Sequence, residues 1–211
     1  VPRMLNFLLL PLHTKTVYSP AEYSIIVVYM AVAAFLNVVY TFGMETTFFR
    51  FATKPGVDQK RIFDQAQTAV TLISVILTAC FVLLADTFAT TMGTPNHPEF
   101  VTWLSLVLLI DALVAIPFAQ LRLQHKPLVF VLGKIINVGI LIGLNYYFLV
   151  FNSANFDPQI GVGYVFVANL IANAFYLLFV GRQLITWRPA LDVAILRSML
   201  RYASPIMITG L

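Results

Sequence analysis

Three ionisable residues stand in stretches where the surrounding sequence offers them no water: Arg3, Asp111 and Lys134. A charge held among lipid chains is costly, so such residues face a partner or a water-filled hollow and mark a ligand or ion path. Arg3 precedes the end of its apolar run by about nine residues, about 14 Å of helix. No carboxylate lies at its depth, so an anionic ligand is the expected partner. Asp111 lies about 15 Å from the end of its run and Lys134 about 10 Å into the next. Across a tight hairpin the two can reach one another, and they either neutralise each other structurally or form a coupling site. Glu45 and Arg50 lie near the end of a run, where both can snorkel to water. Asp64 is placed to cap the start of the following helix.

Neutral polar residues extend the pattern. Gln67, Thr71, Ser74 and Thr78 share one helical face, as do Lys134, Asn137, Leu141 and Asn145, and again Asn169, Asn173 and Tyr176. Such stripes either line a polar cavity or bond neighbouring helices, with Gly139 and Gly143 available for close helix contact. No enzyme signature accompanies them. His13, His97 and His125 stand in separate loops, Gly161 and Gly163 follow no strand, and no phosphate-binding loop is present. No cofactor is expected. The single cysteine, Cys80, lies in an apolar run and reads as a small buried side chain.

The elements that must position these residues are membrane spans. Of 211 residues, 60% are hydrophobic and 10% charged, against about 25% charged in a soluble domain. Apolar runs occupy roughly residues 1–12, 22–48, 65–90, 100–121, 127–150, 161–181 and 202 onward. Most exceed the length that crosses a bilayer as helix; the first and last do not, and truncation at both ends is the simplest expectation. The connecting segments carry turn residues, including Ser19 Pro20, Lys54 Pro55 Gly56, Gly93 Thr94 Pro95 and His125 Lys126 Pro127.

Charge separates alternate loops. Arg50, Lys54, Lys60, Arg61, Arg122, Lys126, Arg182, Arg188, Arg197 and Arg201 fall on one side, while the opposite loops hold only Lys15. The basic side is expected to be cytoplasmic. The net charge of +4 therefore reflects topology, and no nucleic-acid partner is expected. Tyr18, Tyr23, Tyr146 and Tyr147 at one interface, and Phe48, Phe49, Phe51 and Trp187 at the other, read as interfacial anchors. Between residues 188 and 201, Leu191, Ile195 and Met199 recur at helical spacing opposite Arg197 and Arg201, as in a helix lying on the cytoplasmic surface.

The run Arg3 Met4 Leu5 Asn6 Phe7, then Tyr18 Ser19 Pro20 Ala21 Glu22 Tyr23, then Gly43 Met44 Glu45 Thr46 Thr47 Phe48 Phe49 Arg50, resembles the amino-terminal half of bacterial polysaccharide-biosynthesis flippases. These belong to the superfamily of multidrug, oligosaccharidyl-lipid and polysaccharide exporters. The likeness covers essentially the whole chain, and Arg201 Tyr202 through Pro205 looks like the opening of that family's seventh span. The resemblance implies an all-α, multi-pass transmembrane bundle: a six-helix lobe of a two-lobe transporter. It divides the chain into a lobe over residues 1–185, a cytoplasmic interfacial linker over 186–201 and the start of a seventh span over 202–211. It further implies alternating-access export of a polyprenyl-pyrophosphate-linked oligosaccharide across the bacterial inner membrane, for surface polysaccharide such as lipopolysaccharide O-antigen. Lipid-linked oligosaccharide and membrane lipids are the partners so implied. Arg3, Lys134, Asn137, Glu45 and Arg50 are the substrate-binding candidates, and Asp111 with Lys134 the coupling or ion-pair candidates. The alternative is a cation-coupled multidrug or metabolite antiporter of the same superfamily, with Na+ or H+ as the coupling ion at Asp111.

Overall fold

A computed structural model describes residues 19–148 and 161–210. Arg3 and the first apolar run lie outside the described residues. Among those described, regular structure is entirely helical: α1 (Pro20–Thr41), α2 (Met44–Ala52), α3 (Gln59–Leu83), α4 (Ala85–Thr91), α5 (Pro98–Leu123), α6 (Pro127–Tyr146), α7 (Gly163–Ala174), α8 (Tyr176–Thr186) and α9 (Val193–Gly210).

Local chemistry sets the helix starts. Ser19 caps α1 in a capping box with Glu22: Ser19 N donates to Glu22 Oε2 at 2.8 Å while Glu22 N donates to Ser19 Oγ at 3.3 Å. Together they satisfy two of the amides that a helix N-terminus leaves unpaired. Pro98 and Pro127 occupy the first turns of α5 and α6, where a missing N–H costs nothing. Asp58, rather than the expected Asp64, caps α3 by accepting from Lys60 N at 2.9 Å. Asp64 sits a turn and a half further on, paired with Lys60 and accepting from Arg188 N.

Among the described residues four segments are long and apolar enough to cross a membrane: Glu22–Ala52, Gln59–Leu83, Pro98–Leu123 and Pro127–Tyr146. The pair α7 and α8, bent by 46°, forms a fifth if taken as one span. The chain is thus an α-helical membrane bundle, with outward faces bearing Leu72, Ile76, Leu83, Leu128, Ile135, Leu178 and Ile185 in the open. Such continuous apolar surface is tolerable against lipid and not against water.

α5 is the central post and packs against every helix from α1 to α8. The polar stripe of α3 faces inward as glue. Gln67 Nε2 donates to Leu113 O at 3.1 Å and Thr78 Oγ1 donates to Tyr40 Oη at 3.3 Å, tying α3 to α5 and α1. Two expectations are corrected. Cys80 is exposed on the outer face of α3. Among the described residues a Cβ at Gly139 or Gly143 would meet nothing within 4 Å, and the nearer approach on α6 falls at Gly133, whose Cβ would lie 3.4 Å from Phe118 Cζ.

Residues 187–192 form an extended strap docked on the start of α3. Trp187 Nε1 and Ala190 N both donate to Thr68 Oγ1, at 3.2 and 3.1 Å, and Arg61 Nη2 meets Asp192 Oδ2 at 2.5 Å. Asp192 accepts from Ile195 N and Ala194 N at the start of α9, and those bonds, with Arg61, hold its carboxyl below the usual range. The helix expected over residues 188–201 begins at Val193 and runs unbroken to Gly210.

Candidate functional site

α1, α5, α6, α7 and α8 enclose a cavity of about 660 Å3, joined at one end by the start of α2. Each helix contributes one face, at helical spacing: Met30, Asn37, Thr41 and then Glu45; Asp111, Ala115, Phe118 and Arg122; Phe130, Lys134, Asn137 and Leu141; Phe166, Asn169 and Asn173; and Tyr176. The stripe on α3 contributes nothing to this wall.

The cavity is graded along the bundle axis. At the basic end, where the start of α2 meets the end of α5, Arg122 Nη2 donates to Glu45 Oε1 at 2.6 Å. The guanidinium lies over Phe49 at 5.2 Å and over Phe130 at 4.9 Å from the ring centroids. Further in, Lys134 Nζ sits among three rings, 4.3 Å from Tyr176, 5.7 Å from Phe118 and 5.9 Å from Phe130. Cation–π attraction holds the ammonium, and among the described residues no carboxylate pairs with it.

Asp111 lies about 16 Å from Arg122 along α5, three turns toward the far end. It is met by a relay of amides: Asn137 Nδ2 donates to Asn173 Oδ1 at 3.0 Å, and Asn173 Nδ2 donates to Asp111 Oδ1 at 3.1 Å. One chain of two hydrogen bonds thereby links α6, α7 and α5. Beyond it the wall turns apolar through Met30, Leu104, Ile142 and Phe166.

Of the candidate residues, the fold brings Glu45, Asp111, Lys134 and Asn137 to this one cavity. Asp111 and Lys134 do not form the direct ion pair their spacing allows: Asp111 accepts from Asn173, and Lys134 lies over the Tyr176 ring. Arg50 is elsewhere, its guanidinium 4.3 Å over the Tyr202 ring at the junction of α2 and α9, and it does not line the cavity. Arg3 lies outside the described residues. Arg122 is the residue that loop charge alone conceals, since it counts among the basic loops. The signal was its register, one face with Asp111, Ala115 and Phe118.

The cavity thus has a polar lining, with two cations and one carboxylate near one end and Asp111 deeper. Among the described residues no group of three His, Cys, Asp or Glu side chains could hold a metal. Fold and cavity together define a multi-span α-helical membrane protein with a polar internal cavity. Residues 17–211 match the family described as polysaccharide biosynthesis protein, and the chain belongs to that family. Nothing among the curated proteins or the solved structures matches it.

Proposed function

We propose that this protein exports a polyprenyl-diphosphate-linked oligosaccharide across the bacterial inner membrane by alternating access, with the basic loops in the cytoplasm. One observation carries this: in the cavity of a polysaccharide-biosynthesis protein, Lys134 and Arg122 stand together at one end, Arg122 beside Glu45, while the second carboxylate, Asp111, lies deeper. A diphosphate needs cationic partners inside the membrane, where its bare charge would be costly. Arginine and lysine supply them, the first as a planar fork and the second as a point charge. The sugar occupies the hollow while the lipid tail leaves between helices into the bilayer. The test is Lys134→Ala in the protein as its gene encodes it. Surface polysaccharide should fall about tenfold or more, as expected for losing a charge-assisted contact, and lipid-linked intermediates should accumulate. Unchanged export would remove Lys134 from the mechanism.

A second reading, cation-coupled antiport of a drug or metabolite, is favoured by Asp111 in its amide relay, since a carboxylate deep in a span is a common coupling group. Accumulation of a cationic dye with and without a sodium or proton gradient separates the two. Gradient-driven dye efflux lost in Asp111→Asn supports antiport, and efflux indifferent to both gradients excludes it.

A further inference from the structure

Glu45 and Arg122 close on each other at the basic end of the cavity, and the geometry of that pair does not fit a purely structural link. Both side chains remain part-open, Arg122 at 31% and Glu45 at 44% exposure. An ion pair so exposed contributes little net stability, because solvent screens the attraction and two long side chains must be ordered. Both residues line the cavity. Lys134, the next cation inward, shares the Phe130 ring with Arg122. An entering anion therefore finds one cation already lacking a carboxylate contact and a second occupied by a single carboxylate oxygen.

Resting on the export reading, we propose that Glu45 is the resident counter-ion of Arg122, which exchanges it for the substrate's diphosphate on loading and takes it back on release. A diphosphate carries more charge than one carboxylate and can accept both arms of the guanidinium fork, whereas only one Arg122 nitrogen bonds Glu45. The exchange lets the cavity hold the headgroup without holding it too long: Glu45 competes for Arg122 at every moment of occupancy. Arg122 is then a substrate-binding residue, and Glu45 a positioning residue that sets affinity through it.

The experiment is a binding titration of the whole protein in nanodiscs with farnesyl diphosphate, farnesyl monophosphate and inorganic pyrophosphate, with thermal unfolding run on every variant. Glu45→Gln should bind farnesyl diphosphate about fivefold tighter, the size expected for removing an exposed competing charge. Arg122→Gln should bind it about tenfold weaker, and in the double variant Glu45→Gln should bring no gain. The gain should be larger for the diphosphate than for the monophosphate. Equal gains with pyrophosphate would show that the phosphates alone drive the exchange. If Arg122→Gln does not fold, Arg122→Lys keeps the charge and loses the fork, and should weaken diphosphate binding selectively. Unaltered binding in Glu45→Gln, or the same tightening with Arg122 already removed, overturns the exchange. In that event Lys134→Ala still weakens binding if the export reading is sound. Failure of the wild type and all variants to bind farnesyl diphosphate overturns both.

Discussion

Asn173 stands between Asp111 and Asn137 and gives one hydrogen bond while receiving another. Its amide is the only group in that relay that touches both neighbours, so it fixes the Asp111 carboxylate to α7 and, through Asn137, to α6. Hydrogen bonds between membrane helices average below about 1 kcal/mol, because the unfolded state in the bilayer finds partners too. Two are lost together in Asn173→Ala, and Asp111 is left without its amide donor. The variant should therefore unfold about 1–2 kcal/mol more easily, measured by denaturant titration in mixed micelles. A value near zero would mean that the relay positions Asp111 without holding the helices. The residues of this relay were legible from spacing, since Asn137 follows Lys134 on one face and Asn173 follows Asn169 on another. Which stripe would line a hollow was not legible. The α3 stripe has the same polarity and period, and only the packing of Gln67 against Leu113 and of Thr78 against Tyr40 distinguishes glue from wall.

At the scale of elements, the breaks in the helices matter as much as the helices. The run expected at residues 22–48 divides at Phe42 and Gly43, both left-handed, with φ of 49° and 63°. That conformation is cheap for glycine and costs other residues about 1–2 kcal/mol. At Gly43 the space is closed as well, since a Cβ would stand 3.1 Å from Ala203 O and 3.2 Å from Ile206 Cγ2 on α9. Gly43→Ala should thus lower stability by about 2 kcal/mol, read by thermal unfolding. Gly143→Ala, which meets nothing, should be neutral or slightly stabilising, because alanine is the better helix former. The second break separates α7 from α8 just after Asn173 and before Tyr176, so the bend of 46° sits beside Lys134 and the relay alike. Hydropathy located the runs because lipid demands about 20 apolar residues of each. It was blind to both breaks, since a broken span and a straight one have the same composition. The strap over residues 187–192 escaped for a related reason: Leu191, Ile195 and Met199 keep helical spacing, but the backbone amides of Arg188 and Ala190 bond Asp64 and Thr68 instead.

At the scale of the whole molecule, α5 supplies both ends of the cavity's polar face, Asp111 and Arg122, while α1, α6, α7 and α8 close around it. The outer faces carry apolar side chains in the open, and the polar groups are turned inward, which inverts the pattern of a water-soluble bundle. Charge is graded along this interior, from the Glu45–Arg122 pair through Lys134 to Asp111 and then to a wall of Met30, Leu104, Ile142 and Phe166. An anionic headgroup entering from the basic end would meet Arg122 and then Lys134 before the carboxylate of Asp111. The most direct test is movement of the headgroup itself. The protein as its gene encodes it, reconstituted in liposomes, is given a fluorescent short-chain polyprenyl diphosphate sugar, and leaflet exchange is followed with a membrane-impermeant quencher. Exchange well above that of protein-free liposomes, largely lost in Lys134→Ala, is the predicted result. Exchange no faster than in empty liposomes, or equally fast in Lys134→Ala, would contradict it.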